Sequence, residues 1–261
     1  MGACLVAAVW LCIPTDVGGG GKDKGTPSAE SIVGKALAFH GGLKALGRDV
    51  AIVRNEESEM VLEGDKITLK CDWEYQPPDK RAFQATVKIG GLTLRVLYGM
   101  AGGKGWMKIG PAPAVDLSPE QVAGMIWEHR SHVRAVQLLA GAEKYFDIGA
   151  PRAARLGDRD VWAITATSRE TKLTLTAFFD KATGQVLGNE SDRVLPTLGA
   201  ENSREKPATY VAIYKSLIDV DGMKMPQAMT ILRDGTPVVE VKKAQVRVVE
   251  SIDPKLFEKP K

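Results

Sequence analysis

Between Ile67 and Tyr98, apolar and polar side chains alternate along three consecutive segments, and each segment ends where the chain must reverse. Ile67, Leu69, Cys71 and Trp73 alternate with Thr68, Lys70 and Asp72. Phe83, Ala85, Val87 and Ile89 follow the turn at Pro77-Pro78-Asp79, and Leu92, Leu94, Val96 and Tyr98 follow Gly90-Gly91. A period of two places successive side chains on opposite faces of a strand. A reversal made by two glycines leaves no room for a crossover helix, so adjacent strands must run antiparallel. A fourth short strand, Gly105 to Ile109, carries Trp106 and completes a meander with one buried face.

The same period returns in the second half. Trp162, Ile164 and Ala166 alternate, as do Leu173, Leu175, Ala177 and Phe179. Asp180-Lys181-Ala182-Thr183-Gly184 is a turn, and Gln185 to Arg193 is the returning strand. After a polar loop at Glu201 to Pro207 come Tyr210 to Ile218, Lys224 to Arg233 and Val238 to Val249, joined at Asp221-Gly222 and Asp234-Gly235. The last strand changes phase near Lys242-Lys243, which predicts a bulge. Asp253-Pro254-Lys255-Leu256-Phe257 reads as a closing turn that plugs one end of the sheet. Roughly ten strands are too many for a flat open sheet, so strong curling or an unclosed barrel is expected.

Two segments break the alternation with helical spacing. Ser28 precedes a stripe of Ile32, Val33, Ala36, Leu37 and His40 that Gly41-Gly42 stops, and Leu43 to Leu46 forms a further short turn. Ser118-Pro119-Glu120-Gln121 carries a Ser cap, a Pro at the first helical position and a Gln that closes a capping box. From there Val122, Met125, Ile126, His129, Val133, Val136 and Ala140 share one face, up to a stop at Gly141. Trp127 and Leu138 fall opposite, so this long helix is expected to be covered on two sides. The fold class is therefore mainly β: a strongly curved antiparallel sheet wrapped over one long and one or two short helices.

The chain's 261 residues suffice for one large β domain. Lys plus Arg number 35 and Asp plus Glu 32, and these charges are interspersed, so no basic track exists for a phosphate backbone and nucleic acid is not an expected partner. Ala3 to Pro14 is an uncharged apolar run too short for a membrane span, which needs roughly 20 residues. Followed by Val17 to Gly25, it reads as a signal-peptide core and Gly-rich linker, although a basic start is missing. This predicts a leader and linker at residues 1–25, a single domain at 26–261, and export to the periplasm or cell envelope. Cys4 and Cys12 then belong to the leader. Cys71 alone makes no internal disulfide or thiolate metal site and is expected to be a small buried hydrophobe.

No segment carries a complete catalytic or cofactor motif. Gly18 to Lys22 is followed by Asp23 rather than Ser or Thr, and Gly102-Gly103-Lys104 lies between strands, so neither is a phosphate loop. His129 and His132 stand three apart beside Glu128, a spacing at which two imidazoles can share a metal, but no third ligand is identifiable. Asp158/Asp160 and Asp219/Asp221 flank turns, where Asp caps the backbone. No nucleophile elbow occurs. The reading is no enzyme and no cofactor.

His40-Gly41-Gly42-Leu43 at the end of a short helix, Gly103-Lys104-Gly105-Trp106 before a capped helix, the Phe179 to Gly184 turn and the closing Asp253 to Phe257 together give a layout that resembles the LolA/LolB-like periplasmic lipoprotein carriers. The resemblance runs from Ser28 to the C-terminus and is closer to the broad group of outer-membrane lipoprotein-sorting-like proteins than to the true carriers. It implies an unclosed β-barrel over helices with an apolar cavity for acyl chains. In the carriers an arginine latches a helical lid, and no arginine of this sequence is assigned that role.

The expected function is a periplasmic lipid- or lipoprotein-binding carrier, with Trp73, Phe83, Leu94, Trp106, Met125, Ile126, Trp162 and Phe179 as candidate cavity-lining residues. Ordinary core packing is the alternative for each. Two other readings remain: an envelope scaffold with a packed core that binds a protein partner through a sheet edge, and a metal-dependent enzyme built on His129 and His132.

Overall fold

A computed structural model of the chain describes residues 25–46, 48, 50–62, 65–77, 79–89, 91–133, 146–169, 172–193 and 208–260. The apolar run from Ala3 to Pro14 expected to be a leader, the loop expected at Glu201 to Pro207, the predicted helix stop at Gly141 and residue Leu138 lie outside them. Two short helices, α1 (Ala29–Phe39) and α2 (Gly42–Leu46), precede six strands: β1 (Ala51–Leu62), β2 (Asp65–Gln76), β3 (Lys80–Ile89), β4 (Leu92–Ala101), β5 (Lys104–Ile109) and β6 (Val115–Asp116). Helix α3 (Pro119–Val133) follows. Then come β7 (Phe146–Ile148), β8 (Arg152–Leu156), β9 (Arg159–Ser168), β10 (Thr174–Asp180), β11 (Val186–Arg193), β12 (Ala208–Val220), β13 (Met223–Arg233), β14 (Thr236–Val249) and a 3₁₀ turn at Pro254–Phe257.

All fourteen strands form one antiparallel sheet in the order β6-β5-β4-β3-β2-β1-β14-β13-β12-β11-β10-β9-β7, with β8 also on β9. The first and last strands pair in the middle, Ala51 opposite Val249, and two meanders run outward from that seam. The phase change read at Lys242-Lys243 is a bulge: Glu57 pairs with Lys243 and Ser58 with Val241, so Lys242 is the extra residue. The sheet does not close, since β6 ends one side and β7 with β8 the other.

Three strand regions were not read from the sequence. β1 hides because its inward positions are Ile52, Arg54, Glu56, Ser58 and Met60, mostly polar residues that break the expected alternation. β6 is two residues long, and β7 is three. β8 pairs with the opposite end of the same β9 edge as β7, so the two act as one interrupted strand.

The chain passes from β6 at one outer edge to β7 at the other by way of α3. Its cap has the predicted reciprocal form, with the Ser118 N–H donating to Gln121 Oε1 at 2.8 Å and the Gln121 N–H donating to Ser118 Oγ at 3.2 Å. Val122 and Met125 pack on Tyr98, Met100 and Met107 of the first meander. Trp127, on the other side of the helix, joins a cluster with Phe146, Ile164, Phe179 and Met229 of the second. One helix touching both halves requires the sheet to curl around it, as the strand number demands. The same cluster takes Ile32, Val33 and Ala36 of α1.

The end of α1 is pinned by backbone geometry. Gly41 has φ +109°, and a Cβ there would lie 1.8 Å from the Gly222 carbonyl oxygen, so only glycine fits against the β12–β13 turn. The adjacent His40 ring is 4% exposed and bridges two strands. Its Nδ1 is 2.8 Å from the Lys224 carbonyl oxygen, and the Val186 N–H donates to Nε2 at 3.1 Å. The closing 3₁₀ turn does not plug an end of the sheet. Phe257 instead packs with Ala51, Ala82 and Ile252 on the face opposite α3.

Candidate functional site

The inner face of β1 to β5 is set by strand register. Arg54 lies opposite Trp73, Trp73 opposite Phe83, Phe83 opposite Tyr98, and Tyr98 opposite Met107. These side chains therefore form one row across the strands, and α3 lies over it. Trp73 and Phe83 are half-buried with ring centroids 4.2 Å apart, and Phe83 stacks on Tyr98 at 4.9 Å. Met125 is 3% exposed and Ile126 half-buried against this row. Leu94 adjoins it in a cluster with Ile67, Ala85 and Val87 that shares Trp73 and Phe83. Five of the sequence-predicted residues, Trp73, Phe83, Leu94, Met125 and Ile126, thus meet along one surface.

The other three lie elsewhere. Phe179 is 0% exposed within the cluster around α1 and Trp127. Trp162 is half-buried at that cluster's margin, with the Lys181 ammonium 4.7 Å from its ring. Trp106 faces the opposite side of the sheet, as its place in the register next to inward Met107 demands. There its Nε1–H donates to the Phe257 carbonyl at 3.0 Å, across Gly99, where a Cβ would sit 2.6 Å from the indole nitrogen.

Arg81 was not picked out from the sequence. It has the parity of Phe83, Ala85 and Val87, so a charge stands at an inward position, and that was the available signal. It is 4% exposed. Its Nη1–H donates to the Met125 carbonyl of α3, and its guanidinium lies 4.7 Å from the Trp73 ring centroid and 5.4 Å from that of Tyr98. Arg81 therefore ties the helix to the sheet through the aromatic row. Arg54, 8% exposed, pairs with Glu56 at 2.7 Å and donates through Nη1 to the Pro226 carbonyl. Cys71 sits across from Glu56, 5% exposed, and burial pushes its thiol up to about 12, which leaves it protonated and unreactive.

On the opposite face, a cleft of about 430 Å³ separates β2 to β5 from the C-terminal segment, lined among others by Asp72, Glu74, Trp106, Lys255 and Lys259. Burial, with a smaller contribution from the Asp72 charge, pushes the Glu74 carboxyl up to about 7. The folded chain thus holds a proton there that the unfolded chain releases from about 4.5 upward, so this group's contribution to stability declines as pH rises from 4.5 to 7. Glu74→Gln is expected to be more stable than the parent at pH 8 and to lose that advantage below pH 4.5. Urea unfolding at the two pH values measures it, and an equal difference at both would refute the assignment.

His129 and His132 lie on α3, but their side chains are outside the described residues. Among the described residues no group of three or more His, Cys, Asp or Glu side chains is placed to hold a metal ion.

No protein-family model matches the chain, and no curated protein matches it either. Solved structures do. A DUF1329 family protein from Desulfovibrio piger aligns with a TM-score of 0.55 at 10% identity, covering 89% of this chain and 98% of its own. A LolA superfamily protein from Nitrosomonas europaea aligns at 0.53 and 12% identity, covering 90% and 99%. A domain assigned as an outer membrane lipoprotein-sorting protein, from Vibrio parahaemolyticus, aligns at 0.53 and 11% identity, covering 88% and 97%. Likeness at such identities is one of architecture, and in architecture this chain is LolA-like.

Proposed function

We propose that this chain is an exported, non-catalytic carrier that holds the acyl chains of a lipid or lipoprotein between α3 and the inner face of the sheet. The observation that carries the reading is the seating of α3. It crosses from one outer edge to the other over an aromatic row whose Trp73 and Phe83 stay only half-buried, and Arg81 fastens it to the sheet at the Met125 carbonyl. A cover held, among the described residues, by side chains and one buried hydrogen bond can lift without unfolding the strands beneath it. Each methylene that then replaces the helix on Trp73, Phe83, Leu94 and Tyr98 contributes about 0.8 kcal/mol, so an acyl chain binds without charged contacts along its length. The LolA superfamily and lipoprotein-sorting structures that share the fold support the same role. The apolar run from Ala3 to Pro14 supports an exported protein whose domain spans 26–261.

Protein purified from the cell envelope is expected to carry lipid adducts in native mass spectrometry. After lipid removal, adding an acyl ligand should raise its melting temperature, because a ligand that binds only the folded state stabilises it. Absence of both the adduct and the thermal gain would sink the carrier reading.

A further inference from the structure

We infer that the inner face holds a built seat for one anionic headgroup, around Trp73, so that the ligand is an anionic amphiphile rather than a neutral lipid. The inference rests on the carrier reading and adds the ligand's charge. Two guanidinium groups, Arg54 and Arg81, are more than nine-tenths buried on this face. Glu56 compensates Arg54, but among the described residues no carboxylate pairs with Arg81, which leaves one buried positive charge without a counter-ion. An unpaired buried charge is costly, and a bound anion removes that cost.

Hydrogen-bond bookkeeping points the same way. Arg81 Nε, Arg54 Nη2 and Trp73 Nε1 are buried donors with no partner. Arg54 stands directly across the β1–β2 register from Trp73, and the Arg81 guanidinium lies 4.7 Å over the Trp73 ring. All three unpartnered groups are donors, so the missing partner is an acceptor, and the unbalanced positive charge makes it an oxyanion. Phe83 and Leu94 continue from this point as apolar surface, which suits the acyl chain attached to such a headgroup.

The test is direct binding of three probes sharing one saturated chain: palmitate, palmitoyl lysophosphatidylglycerol and methyl palmitate. The charged probes are expected to bind about 10-fold or more tighter than the neutral ester, the scale of a hydrogen bond to a charged group. A larger gain for palmitate assigns a carboxylate and a larger gain for the lysophospholipid a phosphate, and either supports the seat. Arg81→Met should bring the ratio of charged to neutral affinity close to one. Trp73→Phe, which keeps an aromatic ring and removes only the N–H donor, should lower that ratio about threefold. Equal binding of ester and acid by the parent protein overturns the headgroup seat and leaves the carrier standing. A charge preference unchanged in both variants overturns the assignment to these residues. Binding of none of the three probes removes the carrier reading itself, and the seat with it.

Discussion

Phe179→Ala is expected to cost about 3–5 kcal/mol of folding stability, the range for emptying a fully buried aromatic site. Phe179 is 0% exposed and pairs across the sheet with Trp162 and Val186. It belongs to the cluster in which α1, Trp127 of α3 and strands from β9 to β14 meet. Removing the ring would therefore loosen both helices' hold on the sheet at once. In a domain of this size the loss amounts to a fall in melting temperature of roughly 6–20 °C. Thermal or urea unfolding measures it. The same substitution separates packed core from ligand cavity at this position. A ring lining open space would be lost at a cost of about 1 kcal/mol or less, since no new void would form.

The second large effect is at His40. The ring is neutral in the folded chain: Nδ1–H donates to the Lys224 carbonyl, and the Nε2 lone pair accepts from the Val186 N–H. His40→Ala strands both backbone groups in a buried place and should cost about 2–4 kcal/mol. Burial, set partly against the hydrogen bond to Lys224, holds the imidazole below its ordinary 6.5. The unfolded chain thus takes up a proton before the folded one does. The stability His40 contributes is complete above pH 6.5 and declines as pH falls through 6.5 towards the folded value. Protonation removes the lone pair that receives Val186. Unfolding the parent and the alanine variant at pH 7.5 and 5.5 should show their stability difference narrowing at the lower pH. A difference that stayed constant would mean that His40 titrates normally in the fold.

His40 also shows how far local pattern reaches. Its helix stripe and the Gly41-Gly42 stop gave its position at the end of α1, but not its two partners, one 184 and the other 146 residues away. The same division runs through the site. Trp73, Phe83 and Leu94 were legible as residues of one inward face because period two assigns faces within and between hairpins. Trp106 was legible as a strand residue but faces the other way, since its inward neighbour in register is Met107. Phe179 shares the alternation that predicts cavity lining and is fully buried in the cluster around α1 and Trp127, because the surroundings of an inward face depend on which helix lands on it. Arg81 and Arg54 are placed inside by strand register, which the local pattern around them does not supply.

Alternation and turn chemistry, both properties of neighbouring residues, by themselves determined an antiparallel mainly-β chain with a Ser118-capped helix and a bulge beside Lys242. They act within a few residues and need no knowledge of the rest of the chain. Only the tertiary structure decided that β1 pairs with β14, that the helix cap opens a strap between the two outer edges, and that Arg81 fastens it. These depend on contacts between segments far apart in sequence, where burial and hydrogen-bond satisfaction of the whole sheet select the partner. The buried alternation first visible at Ile67 to Tyr98 therefore specifies a face, and the crossing of α3 turns that face into a candidate binding surface.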